Sequence, residues 1–226
     1  MAATRGSQYW LQRAVNEHAN LLDAAVRGAA NLPESVSIEW LSPKADDLPP
    51  FAEYRDAGFL SKLNLTLRHR PLESFWPRRG AMWDGLARTS AGEVLLVEGK
   101  AHIPEMVSSP TAAGPASLSL IEKSLEETRK ALAPRSTMRW SGTFYQYTNR
   151  LAHLYLLRTL NRCPARLVFV DFINATDVNG PTSVEEWHGA IKVVESYLGL
   201  GAHKLSPFIH HVFVDVRDLS STRGRT

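Results

Sequence analysis

The chain has 226 residues, 44% of them hydrophobic, which is enough apolar material to fill the core of one domain and excludes wholesale disorder. A single cysteine, Cys163, excludes an internal disulfide scaffold, suits a reducing compartment and reads as a core or helix-end residue. The formal net charge of +3 excludes a strong one-signed field, although the pI near 9.1 and the preference for Arg over Lys permit contact with nucleic acid.

The opening MAATRGSQYW lacks the basic-then-apolar order of a signal peptide, and no stretch approaches the roughly 20 apolar residues needed to cross a bilayer. A cytoplasmic protein without a membrane partner is expected. Next, Leu11, Val15, His18, Leu22 and Val26 recur at three-and-four spacing, which predicts one long amphipathic helix over 8–30. His18 reads as a packed core histidine. A strand is predicted at 36–41, a Pro- and Asp-rich loop at 42–50 and a helix at 52–63. Arg68, His69, Arg70, Arg78 and Arg79 follow, interleaved with Phe75 and Trp76, a composition suited either to a nucleic-acid backbone with unstacked bases or to an ordinary polar loop.

Strands are then predicted at 82–89 and 93–103, a small-residue loop suited to a lid at 104–116, helices at 117–133 and 143–161, and a strand at 166–173. A helix over 183–199 opens on a Ser183–Glu186 capping box, a last strand spans 209–216, and a frayed tail is expected over 218–226. The sum is a single α/β domain over 1–226 with a mixed sheet of about five strands flanked by helices.

The segment WDGLARTSAGEVLLVEGKAH, residues 83–102, carries the chemistry. A three-residue turn, Ser90-Ala91-Gly92, with Gly92 in the left-handed position, sets Thr89 opposite Glu93 and therefore Asp84 opposite Glu98. Directly opposed side chains have Cβ atoms roughly 4.5–5.5 Å apart, so two carboxylates placed this way repel unless a cation intervenes. Val94, Leu96, Glu98, Lys100 and His102 share one face, which begins apolar and turns ionic. The other face, Leu95, Val97, Gly99 and Ala101, is small enough for a helix to pack closely. Two carboxylates and an ammonium at a strand end suit a Mg2+ site, with Lys100 orienting or deprotonating water; a surface ladder of salt bridges is the alternative.

Asp84, followed after thirteen residues by Glu98-Gly99-Lys100 on a hydrophobic second strand, resembles the signature of the PD-(D/E)XK nuclease superfamily. The order of helix, three strands, helix and strand across roughly residues 8–175 is similar to its restriction-endonuclease-like core; Trp83 stands where the motif has proline. The resemblance implies Asp84 and Glu98 as metal-binding acids, Lys100 as the catalytic lysine, Mg2+ as cofactor with Mn2+ able to substitute, and nucleic acid as partner, DNA favoured over RNA. A homodimer is compatible with it. A further metal-binding acid on the first helix would be Glu17, which also stands four residues from Arg13.

On 143–161, Gln146, Arg150 and His153 line one stripe beside the apolar positions. That stripe resembles the helix of RecB-like nucleases in which Gln precedes Tyr by four, with Arg150 in place of the Tyr. Gln146 and Arg150 are thus candidate substrate-binding residues, with a solvated helix face as the alternative; His102 and Glu105, just past the triplet, are further candidates. No G-x-S-x-G elbow, Walker loop or G-x-G-x-x-G occurs, and His210 and His211, adjacent on a strand, point to opposite faces. The expected activity is metal-dependent hydrolysis of phosphodiester bonds in nucleic acid. The alternatives are a non-catalytic protein that binds or scaffolds on the same fold, and a hydrolase of another phosphate ester.

Overall fold

The structure is a computed structural model that describes residues 2–220. Its elements run α1 (Gly6–Glu17), α2 (Ala19–Ala30), β1 (Ile38–Ser42), α3 (Ala57–Lys62), β2 (Gly85–Thr89), β3 (Val94–Lys100), α4 (Pro115–Leu132), α5 (Tyr145–Tyr155), β4 (Ala165–Ile173), α6 (Val184–Leu198), β5 (Ile209–Asp215) and α7 (Val216–Ser220). The strands form one sheet in the order β1-β2-β3-β4-β5. β1, β2 and β3 are antiparallel, whereas β3, β4 and β5 are parallel, so the fold is α/β with a mixed five-stranded sheet flanked by helices. Among the described residues no helix is long and apolar enough to cross a membrane.

Alternation along each strand builds a core on both faces. Leu95, Val97, Val168, Val170, Phe172, Val212 and Val214 meet Leu11, Val15, Leu22 and Val26 of α1 and α2. Leu86, Leu96, Leu167 and Phe169 instead meet residues of α3, α4, α5 and α6, including Phe59, Leu125, Leu151 and Trp187. Small residues set the spacing on the α1 side, where a Cβ added to Gly99 would touch Ser7 at 3.6 Å.

The stripe predicted over 8–30 is buried as expected, but the helix is not continuous. It breaks at His18, whose backbone sits at φ −133°, ψ 34°. α1 packs against β3 and β4 while α2 packs against β5. One straight helix would run about 35 Å and could not follow a twisted sheet across three strands. His18 keeps the apolar phase across the break, which hides it from periodicity, and the side chain is half-buried.

α5 ends in a π turn, Leu156–Leu160, and Cys163 follows it as a free, half-buried thiol that burial pushes above its usual pKa. Ser183 caps α6 as predicted, accepting from the backbone N–H of Glu186 at 3.3 Å. The frayed tail expected from 218 lies outside the described residues from 221 onward, whereas 218–220 belong to α7, which buries Val216 and Leu219.

Candidate active site

The hairpin forms in the register that its turn dictates. Gly92 has φ 83°, its N–H donates to Thr89 O at 2.9 Å, and Gly85 pairs with Val97. One step beyond that pair Asp84 comes opposite Glu98. Asp84 Oδ2 accepts from the N–H of Gly99 at 2.9 Å, which ties the two strand ends together beyond the ladder.

Glu98 and Lys100 point to the α5 side of the sheet and are 1% and 8% exposed. Burying both charges is costly unless they are paired and hydrogen-bonded. Lys100 Nζ donates to Glu98 Oε1 and also to Gln146 Oε1 at 3.0 Å. Arg150, 3% exposed, donates from Nε to Glu98 Oε2 at 2.7 Å. Its remaining donors reach Asn149 Oδ1 at 2.9 Å and Met82 O at 2.6 Å, and its guanidinium lies 4.6 Å from the Trp83 ring centroid. Gln146 and Arg150, one turn apart on α5, are thus part of the charged centre itself. Of the stripe expected to face phosphate or solvent, Gln146 and Arg150 meet Lys100 and Glu98 and also line a cleft, whereas His153 is buried among aromatic rings.

Opposite electrostatics divide the two acids. Burial pushes the Glu98 carboxyl up, but Arg150 and Lys100 more than offset this and hold it below the usual range. Asp84 lacks direct cationic partners. Burial, and then the charge of Glu98 across the ribbon, raise it to about 7 against the pull of Lys100, Arg150 and the Gly99 N–H.

Asp84 opens into a cleft of about 820 Å3. One wall is the turn Pro77–Met82, the other the loop from Ser108 to Gly114, and Gln146, Asn149 and Arg150 complete it. The loop expected to serve as a lid is therefore a wall of this cleft. Arg78 and Arg79 are exposed on the opposite wall. Asp56 fixes that turn, accepting from the N–H groups of Arg79 at 3.0 Å and Gly80 at 2.9 Å. Arg68 and His69 are also exposed, while Phe75 and Trp76 are buried and offer no open stacking platform.

Two predicted site residues lie apart from this centre. Glu17 is 54% exposed and pairs with Arg13 at 2.9 Å, at the end of α1 remote from Ser7, and α1 covers the opposite face of the sheet. His102 lies 3.0 Å from Glu105 and lines a separate depression with Gly6, Ser7 and Asp177. β3 ends at Lys100, so the alternation that assigned His102 to the Glu98 face no longer applies there. His153 is buried beside Phe59, Trp76 and Trp83, and burial lowers it to about 4.

Among the described residues no group of three or more His, Cys, Asp or Glu is placed to hold a metal ion. The carboxylates nearest the cleft are Asp84, which lines it, and Glu98, whose two oxygens accept from Lys100 and Arg150. Asp84 is the open ligand; Mg2+, which is held by one or two carboxylates and completes its octahedron with water and substrate phosphate, would take a Glu98 oxygen only by displacing one of those donors. Comparison of the chain with family models, with curated proteins and with solved structures gives no match.

Proposed function

We propose that this protein is a metal-dependent phosphodiesterase of the PD-(D/E)XK type acting on nucleic acid, with DNA favoured. The observation that carries this reading is the convergence of Asp84, Glu98 and Lys100 at one end of the sheet, beside a cleft whose wall presents Arg78 and Arg79. Mg2+ held by Asp84 and Glu98 would supply Lewis-acid stabilisation of charge on the phosphate.

The remaining work falls to the chain. Arg78 and Arg79 attract and orient the phosphate backbone. Lys100, anchored on Glu98, directs an N–H toward the attacking water; Gln146, which lines the cleft, holds that N–H until substrate and water enter. Arg150 keeps Glu98 ionised and fixes its rotamer through three further contacts.

The test is cleavage of labelled single-stranded DNA, duplex DNA and RNA in Mg2+ or Mn2+, with folding of each variant checked by circular dichroism. Glu98→Gln and Lys100→Met should abolish cleavage and leave DNA binding in place. Absence of cleavage on every substrate, together with a melting temperature indifferent to Mg2+, would overturn the reading.

One observation favours a second reading, a non-catalytic binding protein. Both oxygens of Glu98 are engaged by Lys100 and Arg150, so the buried charges balance without a divalent ion. DNA binding without cleavage, equal in wild type and Glu98→Gln, would establish it.

A further inference from the structure

Asp171 on β4 stands in register with Lys100 on the neighbouring parallel strand, on the same face of the sheet. It is fully buried, and His211 on β5 meets its Oδ2 through Nδ1 at 2.6 Å. The imidazole is held in a stack of rings. Tyr147 lies on Phe169 with centroids 4.9 Å apart, and Phe169 lies on His211 at 4.8 Å. An ionised carboxylate only accepts, so Nδ1 carries the proton of this bond.

The other oxygen, Asp171 Oδ1, is buried and receives no hydrogen bond from any protein group. Buried polar atoms rarely stay unpaired. Lys100 has the complementary shortfall: its ammonium has about three donors, of which Glu98 and Gln146 take one each. A cavity of about 10 Å3 is bounded by Lys100, Gln146, Asp171 and His211, together with Glu98 and Arg150. That volume is at the threshold for a single water molecule, and its lining supplies the polar partners such a water requires.

We propose that this cavity binds one water, which accepts the third N–H of Lys100 and donates to Asp171 Oδ1, making Asp171 a positioning residue for the lysine. Glu98 and the bridging water are then fixed supports on the protein side. Gln146, which also lines the cleft, is the exchangeable one, and the reacting water takes its place. His211 fixes the carboxylate from behind, and the ring stack fixes His211. The catalytic half of this inference rests on the nuclease reading above; the water bridge does not.

Two substitutions and two readouts test it. Asp171→Leu removes the acceptor, whereas Asp171→Asn keeps an oxygen for the water once His211 moves its proton to Nε2. In spectra of protein carrying 15N-lysine, the Lys100 ammonium should give a slowly exchanging signal in wild type and Asp171→Asn that is lost in Asp171→Leu. In cleavage assays kcat should fall roughly 10- to 100-fold in Asp171→Leu with KM unchanged, and Asp171→Asn should recover most of it.

A purely structural Asp171 would lower the melting temperature and leave both the ammonium signal and kcat of the folded fraction intact. That result overturns the proposal, as does a high-resolution crystal structure in which Asp171 Oδ1 bonds directly to a protein group. If the wild type cleaves nothing, the nuclease reading falls, while the ammonium signal and the crystal structure still decide the bridge.

Discussion

Replacing Asp84 by Asn should stabilise the metal-free protein, by an amount that depends on pH. Folding raises the Asp84 carboxyl from 3.8 to about 7. At about 1.36 kcal/mol per pH unit, holding it ionised in the native state costs up to about 4 kcal/mol. Asp84 is half-buried and faces the cleft, so screening by water reduces this to about 2–4 kcal/mol.

The sign follows from proton binding. Near pH 4 and below, folded and unfolded chains both hold the proton and the penalty is absent. Between about pH 4 and 7 only the folded chain holds it, so stability falls as pH rises; above about pH 7 the penalty is constant. The Asn side chain still accepts from the Gly99 N–H and carries no charge.

Urea unfolding in EDTA from pH 4 to 8 should therefore show variant and wild type diverging from near equality to about 2–4 kcal/mol in favour of the variant. The comparison must be a difference. His153 and His210, both lowered to about 4 by burial, make stability rise with pH from about 4 to 6.5 and mask the Asp84 slope in either protein alone. A difference that stays constant with pH, or a wild type that is the more stable at pH 8, refutes the argument.

Arg150→Met strands the Glu98 carboxylate beside Lys100 alone and should cost about 3–5 kcal/mol in urea unfolding. Adding Glu98→Gln should recover more than half of that loss, and additive effects would show that the pair is not coupled. In Gly180→Ala the new Cβ would lie 2.3 Å from the carbonyl oxygen of Ala101, next in sequence to Lys100. We expect a loss of about 1–3 kcal/mol in thermal or urea unfolding, and cleavage reduced more than DNA binding because the end of β3 is displaced.

The hairpin was legible because its register depends on local signals: a glycine for the positive φ at the turn, and alternation that a slip of one residue would invert. Glu98 and Lys100 follow from it directly. Arg150 belongs to a stripe of Gln, Arg and His that an amphipathic helix offers equally to phosphate or to solvent, and its ion pair with Glu98 is legible only once the strand beneath is known to carry charge.

His102 rests on alternation carried past the end of β3, whereas Glu17 rests on the resemblance alone and lies on α1, which covers the other face of the sheet. Asp171 and His211 were not read as site residues at all. The available signal was Asp171 itself, a carboxylate inside the apolar run RLVFVDFI, where a charged residue is rarely buried without a partner. Its partner is on another strand, and no spacing rule reaches it.

β3 is paired antiparallel on one edge and parallel on the other, and this orders the assembly of the charged centre in time. The two-strand ribbon can close early, because a short loop costs little chain entropy, and it brings both acids and the lysine together at once. Arg150 and Asp171 arrive only when the chain has threaded through α4 and α5 and β4 docks. Until then the nascent ribbon carries two like charges facing each other with only Lys100 nearby, and its apolar flank is uncovered. Docking of α5 and β4 covers the apolar flank and brings Arg150 to Glu98, while Asp84 stays under the charge of Glu98, so mutations in α5 should slow the final docking step and leave ribbon formation untouched.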